Sequence, residues 1–176
     1  MIKHKILSYK VKRGQKKIDF LHQAYPYSKL KKVGVIFSFD DLKKHEAVKK
    51  FIKTLKADGI EVTTLAYKPK DTQNFEFYFD FFEEKDFGFF GKIENPYFLS
   101  FLNQKLEYLF CLDETLNLYM QYLLVHSKTD ARIGAYQPTE AEASFFELMI
   151  KPRESGDTNI LTEEIIHYVR KISGNN

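Results

Sequence analysis

Residues 32–41 read KVGVIFSFDD, and their pattern sets the fold class. Val33, Val35, Ile36, Phe37 and Phe39 form a nearly unbroken apolar run closed by two acids, as in a strand buried on both faces. Ala47, Val48, Phe51, Ile52 and Leu55 follow at helical spacing over 42–58, with lysines assigned to the opposite, solvated face. Gly59 stops that helix, and IEVTTLAY continues as a β-branched strand. With about 20 residues between the two strands, a right-handed crossover and parallel pairing are expected.

The theme repeats downstream. Asn95 and Pro96 read as an N-cap and first helical residue, opening a short helix to about 103. KLEYLFCLD is a strand ending at Asp113, Thr115 to about Lys128 a helix, ARIGAY a strand, Gln137 to Ser144 a polar loop and FFELMI a further strand. A last helix is predicted from about Leu161 to Ile172. This alternation predicts an α/β domain over 32–176: an open, mostly parallel, Rossmann-like sheet with helices on both faces. No 20- to 50-residue repeat is visible.

At 176 residues and 44% apolar content, one domain with a sizeable core is expected. The polar N-terminus has no secretory pattern and no run is long enough to span a bilayer, so a cytoplasmic protein without a transmembrane segment is expected. The single Cys111, in YLFCL, reads as a buried core thiol. Charge is uneven. Ten basic residues to one acid up to Lys32 give that part +9, against −6 over the remainder and +3 overall. Residues 1–31 are therefore predicted as a basic N-terminal arm that could dock on nucleic acid, an anionic surface or an acidic partner. Its local structure stays open between strand, helix and a single amphipathic helix, with Gly14 as a separator.

In sheets of this class ligands bind beyond the carboxyl ends of the strands. That places Ser38, Asp40, Asp41, Lys68, Asp113, Glu114 and Thr115 among the candidates, with Tyr136 and Gln137 after ARIGA. Asp40 and Asp41 could hold magnesium, but Ser38 stands where an Asp-x-Asp phosphotransfer site has its nucleophile, and Asp113 lies too far along for a receiver domain. One of the pair is expected to cap the following helix. Asp86-Phe87-Gly88 spells a kinase triplet without the other kinase motifs. The five histidines lie far apart, and no phosphate-binding glycine loop or nucleophile elbow is present. Neither a metal nor a cofactor is expected.

Phe75 to Phe90 holds nine aromatics in sixteen residues. Phe75, Phe77, Phe79 and Phe81 alternate with other residues at the period of a strand. The run exceeds what one buried strand face can hide, so Phe77, Phe79, Phe87, Phe89 and Phe90 are candidates for a subunit or partner interface, for core, or for a stacking platform.

VGVIFSFD, the stretch from Lys85 to Lys92 and the stretch from Lys128 to Gly134 together resemble a family of short uncharacterised bacterial proteins. That family has a basic N-terminus, an IGILFD-like strand, a lysine–acid–aromatic–glycine–lysine stretch and a KAxFxVG-like segment. The resemblance implies a single Rossmann-like domain and brings no activity. Residues 105–135 are also similar to part of the N-terminal half of heptosyltransferase-like enzymes, which bind substrate between two such halves; one is encoded here. The function expected first is a non-enzymatic module that self-associates or docks on a partner. A nucleotide or phosphosugar enzyme working at the strand ends, and nucleic-acid binding through the arm, are the alternatives.

Overall fold

The apolar run is the central strand of the protein. In the computed structural model, which describes residues 2–18, 25–70, 72 and 78–173, β1 (Lys32–Ser38) has β2 (Glu61–Lys68) on one side and β4 (Lys105–Cys111) on the other. β3 (Phe81–Glu83), β5 (Lys128–Ala135) and β6 (Leu148–Ile150) complete a six-stranded sheet. Its order is β3-β2-β1-β4-β5-β6, with every pairing parallel. The open Rossmann-like sheet is thus present and wholly parallel.

Strand alternation divides the core into two layers. Val33, Val35 and Phe37 of β1, with Tyr108 and Phe110 of β4, face α2 (Leu42–Ala57) and α6 (Thr158–Val169). Ile36, Leu109 and Cys111 face the other way, towards α3 (Pro96–Asn103) and α4 (Leu118–His126). A four-residue helix, α5 (Glu140–Ala143), lies inside the stretch read as a polar loop. Helix starts follow local capping chemistry. Asp41 accepts the Lys44 N–H, Asn95 that of Phe98 beside Pro96, and Asn117 those of Tyr119 and Met120.

Of the structures left open for the N-terminal segment, the single amphipathic helix is the one found, but not as a separate arm. Ile2–Gln15 form a helix, α1, packed on α4 rather than an arm extending from the body. Leu7, Val11 and Gly14 fall on one face at i, i+4 and i+7, and Leu7 and Val11 are buried. Gly14 lies within α1 and does not separate two pieces. A β-carbon there would come within 2.7 Å of Val125, so the glycine permits the close approach to α4. The lysines occupy the remainder of the helix surface, which is why the segment reads as an arm.

The aromatic run is also reassigned. Among the described residues of the run, Phe81–Glu83 form the strand that pairs with β2; Phe77 lies outside the described residues together with Phe75. Phe79 is buried between Phe37 and His45, and Phe87 is buried among Phe82, Phe98, Tyr119 and Tyr122. These two are core, not interface. Among the described residues no helix is long and apolar enough to cross a membrane.

Candidate functional site

Two regions concentrate chemistry, and the first follows from strand order. The chain leaves β1 through α2 to one side of the sheet, whereas β4 lies on the other side. The crevice beyond β1 and β4 is therefore the topological switch point. A cavity of about 440 Å³ opens there, lined by Ser38, Asp40, Lys44, Asp113, Glu114 and Asn117 among others.

Asp113 is 3% exposed and organises the crevice. Its carboxylate accepts the Ser38 N–H at 2.8 and 3.0 Å, the Ser38 hydroxyl at 2.5 Å and the Lys44 ammonium at 2.7 Å. Lys44 also donates to Asp40 at 2.6 Å. Asn117 donates to the Ser38 hydroxyl at 3.1 Å while its carbonyl oxygen caps α4. Burial works against the Lys44 charge, but Asp113 and Asp40 outweigh it and hold the ammonium above its ordinary pKa. The cluster ties β1, β4, α2 and α4 together, and each of its polar groups is engaged by another.

Of the predicted residues, Ser38, Asp40 and Asp113 meet in this network, and Thr115 lines the same cavity. Glu114 turns to the loop before α6, where it accepts the Gly156 N–H at 2.7 Å and the Ser155 hydroxyl. Asp41 caps α2. Lys68 stands apart, paired with Glu83 at 3.1 Å. Sequence reading missed Lys44, Asn117, Ser155 and Gly156. The signal for Lys44 was its place four residues after Asp40 on the first turn of α2, where such pairs meet. Cys111 lies beneath, fully buried, and burial raises its thiol pKa, so it is protonated at neutral pH.

Next to this cluster His45 packs between Phe39 and Phe79, with ring centroids at 5.5 and 5.0 Å. Its Nδ1 is buried with no hydrogen-bond partner among the described residues. Burial lowers its pKa from 6.5, with Glu46 acting to raise it and Lys49 to lower it. A depressed histidine pKa contributes stability that is whole above the unfolded value and is lost as pH falls through the folded one. Stability against unfolding is therefore expected to fall from pH 7 to 5, by at most about 1.4 kcal/mol per pH unit for each histidine involved. His45→Leu should flatten that slope, leaving the share of His126, whose pKa burial also lowers. An unchanged slope in this variant would refute the assignment.

The second region is a surface. Phe87 and Ile93 form an antiparallel bridge that closes a short hairpin. The Gly88 N–H donates to the Lys92 carbonyl at 2.7 Å, and the Gly91 N–H to the Gly88 carbonyl at 2.9 Å. Phe89 and Phe90 thus occupy the two central positions of a tight turn, 59% and 75% exposed. Gly91 takes φ +67°, a conformation glycine adopts without strain. The base is held from below. Phe87 is core, Asp86 accepts the Glu83 N–H at 2.8 Å, and Asn95 donates to Asp86 at 2.9 Å. The kinase-like triplet therefore has turn and packing roles.

α1 runs beside this hairpin. Lys10 donates to the Gly91 carbonyl at 2.9 Å and to that of Phe90 at 3.3 Å, and Ile6 and Leu7 border Gly91. At 100° per residue, Ile2, Ile6, Tyr9 and Arg13 share one side of α1, and Lys3, Lys10 and Ile6 place that side next to the hairpin. Ile2 is 56% and Tyr9 65% exposed. The result is one mixed face: two exposed apolar side chains of the hairpin tip, Phe89 and Phe90, beside two of a helix, Ile2 and Tyr9, whose charged residues are all basic.

No curated protein and no solved structure matches the chain. The model of a family of unknown function (DUF6913) matches residues 3–172, α1 from Lys3 onward included, and the chain belongs to that family.

Proposed function

We propose that the protein acts by association, docking through the face made by the 87–93 hairpin and the outer side of α1 on a partner that carries negative charge. The observation that carries this reading is the pair Phe89–Phe90. Tight-turn centres favour Gly, Asn, Asp or Pro, and two largely exposed phenylalanines there leave apolar area in water that a partner would cover. Charge selects the partner. Residues 2–18 contain seven lysines and arginines and no acid, and the outer side of α1 presents Lys5, Lys12 and Arg13, so a second copy docked through the same face would set these cations against their own counterparts.

The strand-end alternative, a nucleotide or phosphosugar site, is less favoured by the same reasoning. Among the described residues lining it, the switch-point cavity brings Asp40, Asp113 and Glu114 against one cation, Lys44, an arrangement that repels phosphate. The docking reading is tested by placing a photo-crosslinking amino acid at Phe90, and in a separate variant at Tyr136 on the far end of β5, in cells producing the protein. Adducts are expected at 90 and not at 136. Equal or no labelling at the two positions would sink the reading.

A further inference from the structure

Resting on that docking face, we propose that its partner is the surface of a bilayer rich in anionic phospholipid, with Phe89 and Phe90 entering the headgroup region and α1 lying along it. Four observations select a membrane. The first concerns the backbone of the tip. The turn bonds Gly88 to Lys92 and to Gly91, and Lys10 takes the carbonyls of Phe90 and Gly91, so these backbone groups keep their partners as the rings enter an apolar phase.

The second is the layout of α1. Its inner face, Leu7 and Val11, is used in folding, and its outer side carries Ile2 and Tyr9 among Lys5, Lys12 and Arg13. Lysine and arginine stems of this kind lie along apolar surface with their charges at the phosphate level. The third is charge, since a helix with several cations and no acid is attracted to an anionic leaflet within a Debye length. The fourth counts against nucleic acid. The Phe89 and Phe90 rings stand at 86° to each other with centroids 5.2 Å apart, so they do not form a parallel platform for successive bases.

The sequence has no tryptophan, so Phe90→Trp supplies a single reporter in the full chain. Its emission is measured with vesicles of phosphatidylcholine alone and with vesicles containing about one-third phosphatidylglycerol. Co-sedimentation of wild type, Phe89→Ser/Phe90→Ser and Lys5→Glu/Lys12→Glu is measured alongside, with melting temperatures to show that each is folded. A shift to shorter wavelength is expected with the anionic vesicles only. Binding should fall about tenfold or more in each double variant and weaken with added salt.

No shift in emission overturns the proposal, as does binding that the serine variant retains, because a basic protein can adsorb without inserting. If vesicles are ignored but a single-stranded oligonucleotide is bound and lost in the serine variant, the partner is nucleic acid and the membrane assignment is wrong. A dimer dissociated by the serine changes, without vesicle binding, overturns it in favour of self-association. Both of these last results leave the hairpin as a docking face; loss of the position-90 crosslink removes the face itself.

Discussion

Asp113→Ala is expected to lower the free energy of unfolding by about 3–5 kcal/mol, the usual cost of removing one partner from a buried ion pair. The loss has identifiable sources. Truncation leaves the Ser38 N–H and hydroxyl without their acceptor, and leaves Lys44, 9% exposed, with Asp40 alone. Asp40 is a weak substitute because its side chain is 58% exposed, so water screens the remaining pair. Asp113→Asn keeps the shape but offers one acceptor oxygen to donors that now use two, and most of the loss should remain. Combining it with Lys44→Met should cost less than the two single changes added together, since the second change removes the charge stranded by the first.

The alkaline limb gives a separate check. Because the folded pKa of Lys44 is raised, its contribution is whole below the ordinary lysine value of 10.5 and is lost as pH rises through the folded value. The gap between wild type and Asp113→Ala in chemical denaturation should therefore hold steady around neutrality and narrow only in strong base. A variant as stable as wild type would mean that this carboxylate does not hold the fold, and the switch-point crevice would then regain its standing as a ligand site.

The legible parts of this protein are those where one residue pattern had one structural solution. The run from Val33 to Phe37 had no polar side chain to give to solvent, so it had to lie inside a sheet covered on both faces. Asn95-Pro96 could open only a helix. Crossover length made the pairing parallel, and the adjacency of β1 and β4, which brings Ser38 to Asp113 across 75 residues, followed from topology that no local pattern encodes.

Other features hide because the deciding contact is distant. α1 buries only a narrow stripe, Leu7, Val11 and Gly14, within a lysine-rich segment, and the stripe has meaning only once Val125 of α4 is beside it. Lys44 looks like every other lysine of α2 until Asp113 arrives from β4. The aromatic run misled for the opposite reason. Its alternation is strand-like in period, yet the described part of it is shared among a three-residue strand, a buried turn base and an exposed turn tip, which period alone does not separate.

The separation predicts two phenylalanines three residues apart with opposite behaviour. Phe87→Ala should cost about 3–5 kcal/mol, the range for deleting a large buried aromatic side chain. The ring is 2% exposed and lies 5.1 Å from Tyr119, 5.4 Å from Phe98, 5.6 Å from Tyr122 and 6.0 Å from Phe82, so its removal opens a cavity where the hairpin, α3 and α4 meet. Phe90→Ser, at 75% exposure, should stay within about 0.5 kcal/mol of wild type in the same denaturation experiment. The functional effects should run differently. Phe87→Ala loosens the base that aims the tip and should weaken docking only in proportion to lost order, whereas Phe90→Ser leaves the scaffold intact and should reduce docking alone. If Phe90→Ser proved as destabilising as Phe87→Ala, the tip would be packed in the native protein, and apolar area exposed in water could no longer be the reason for a partner.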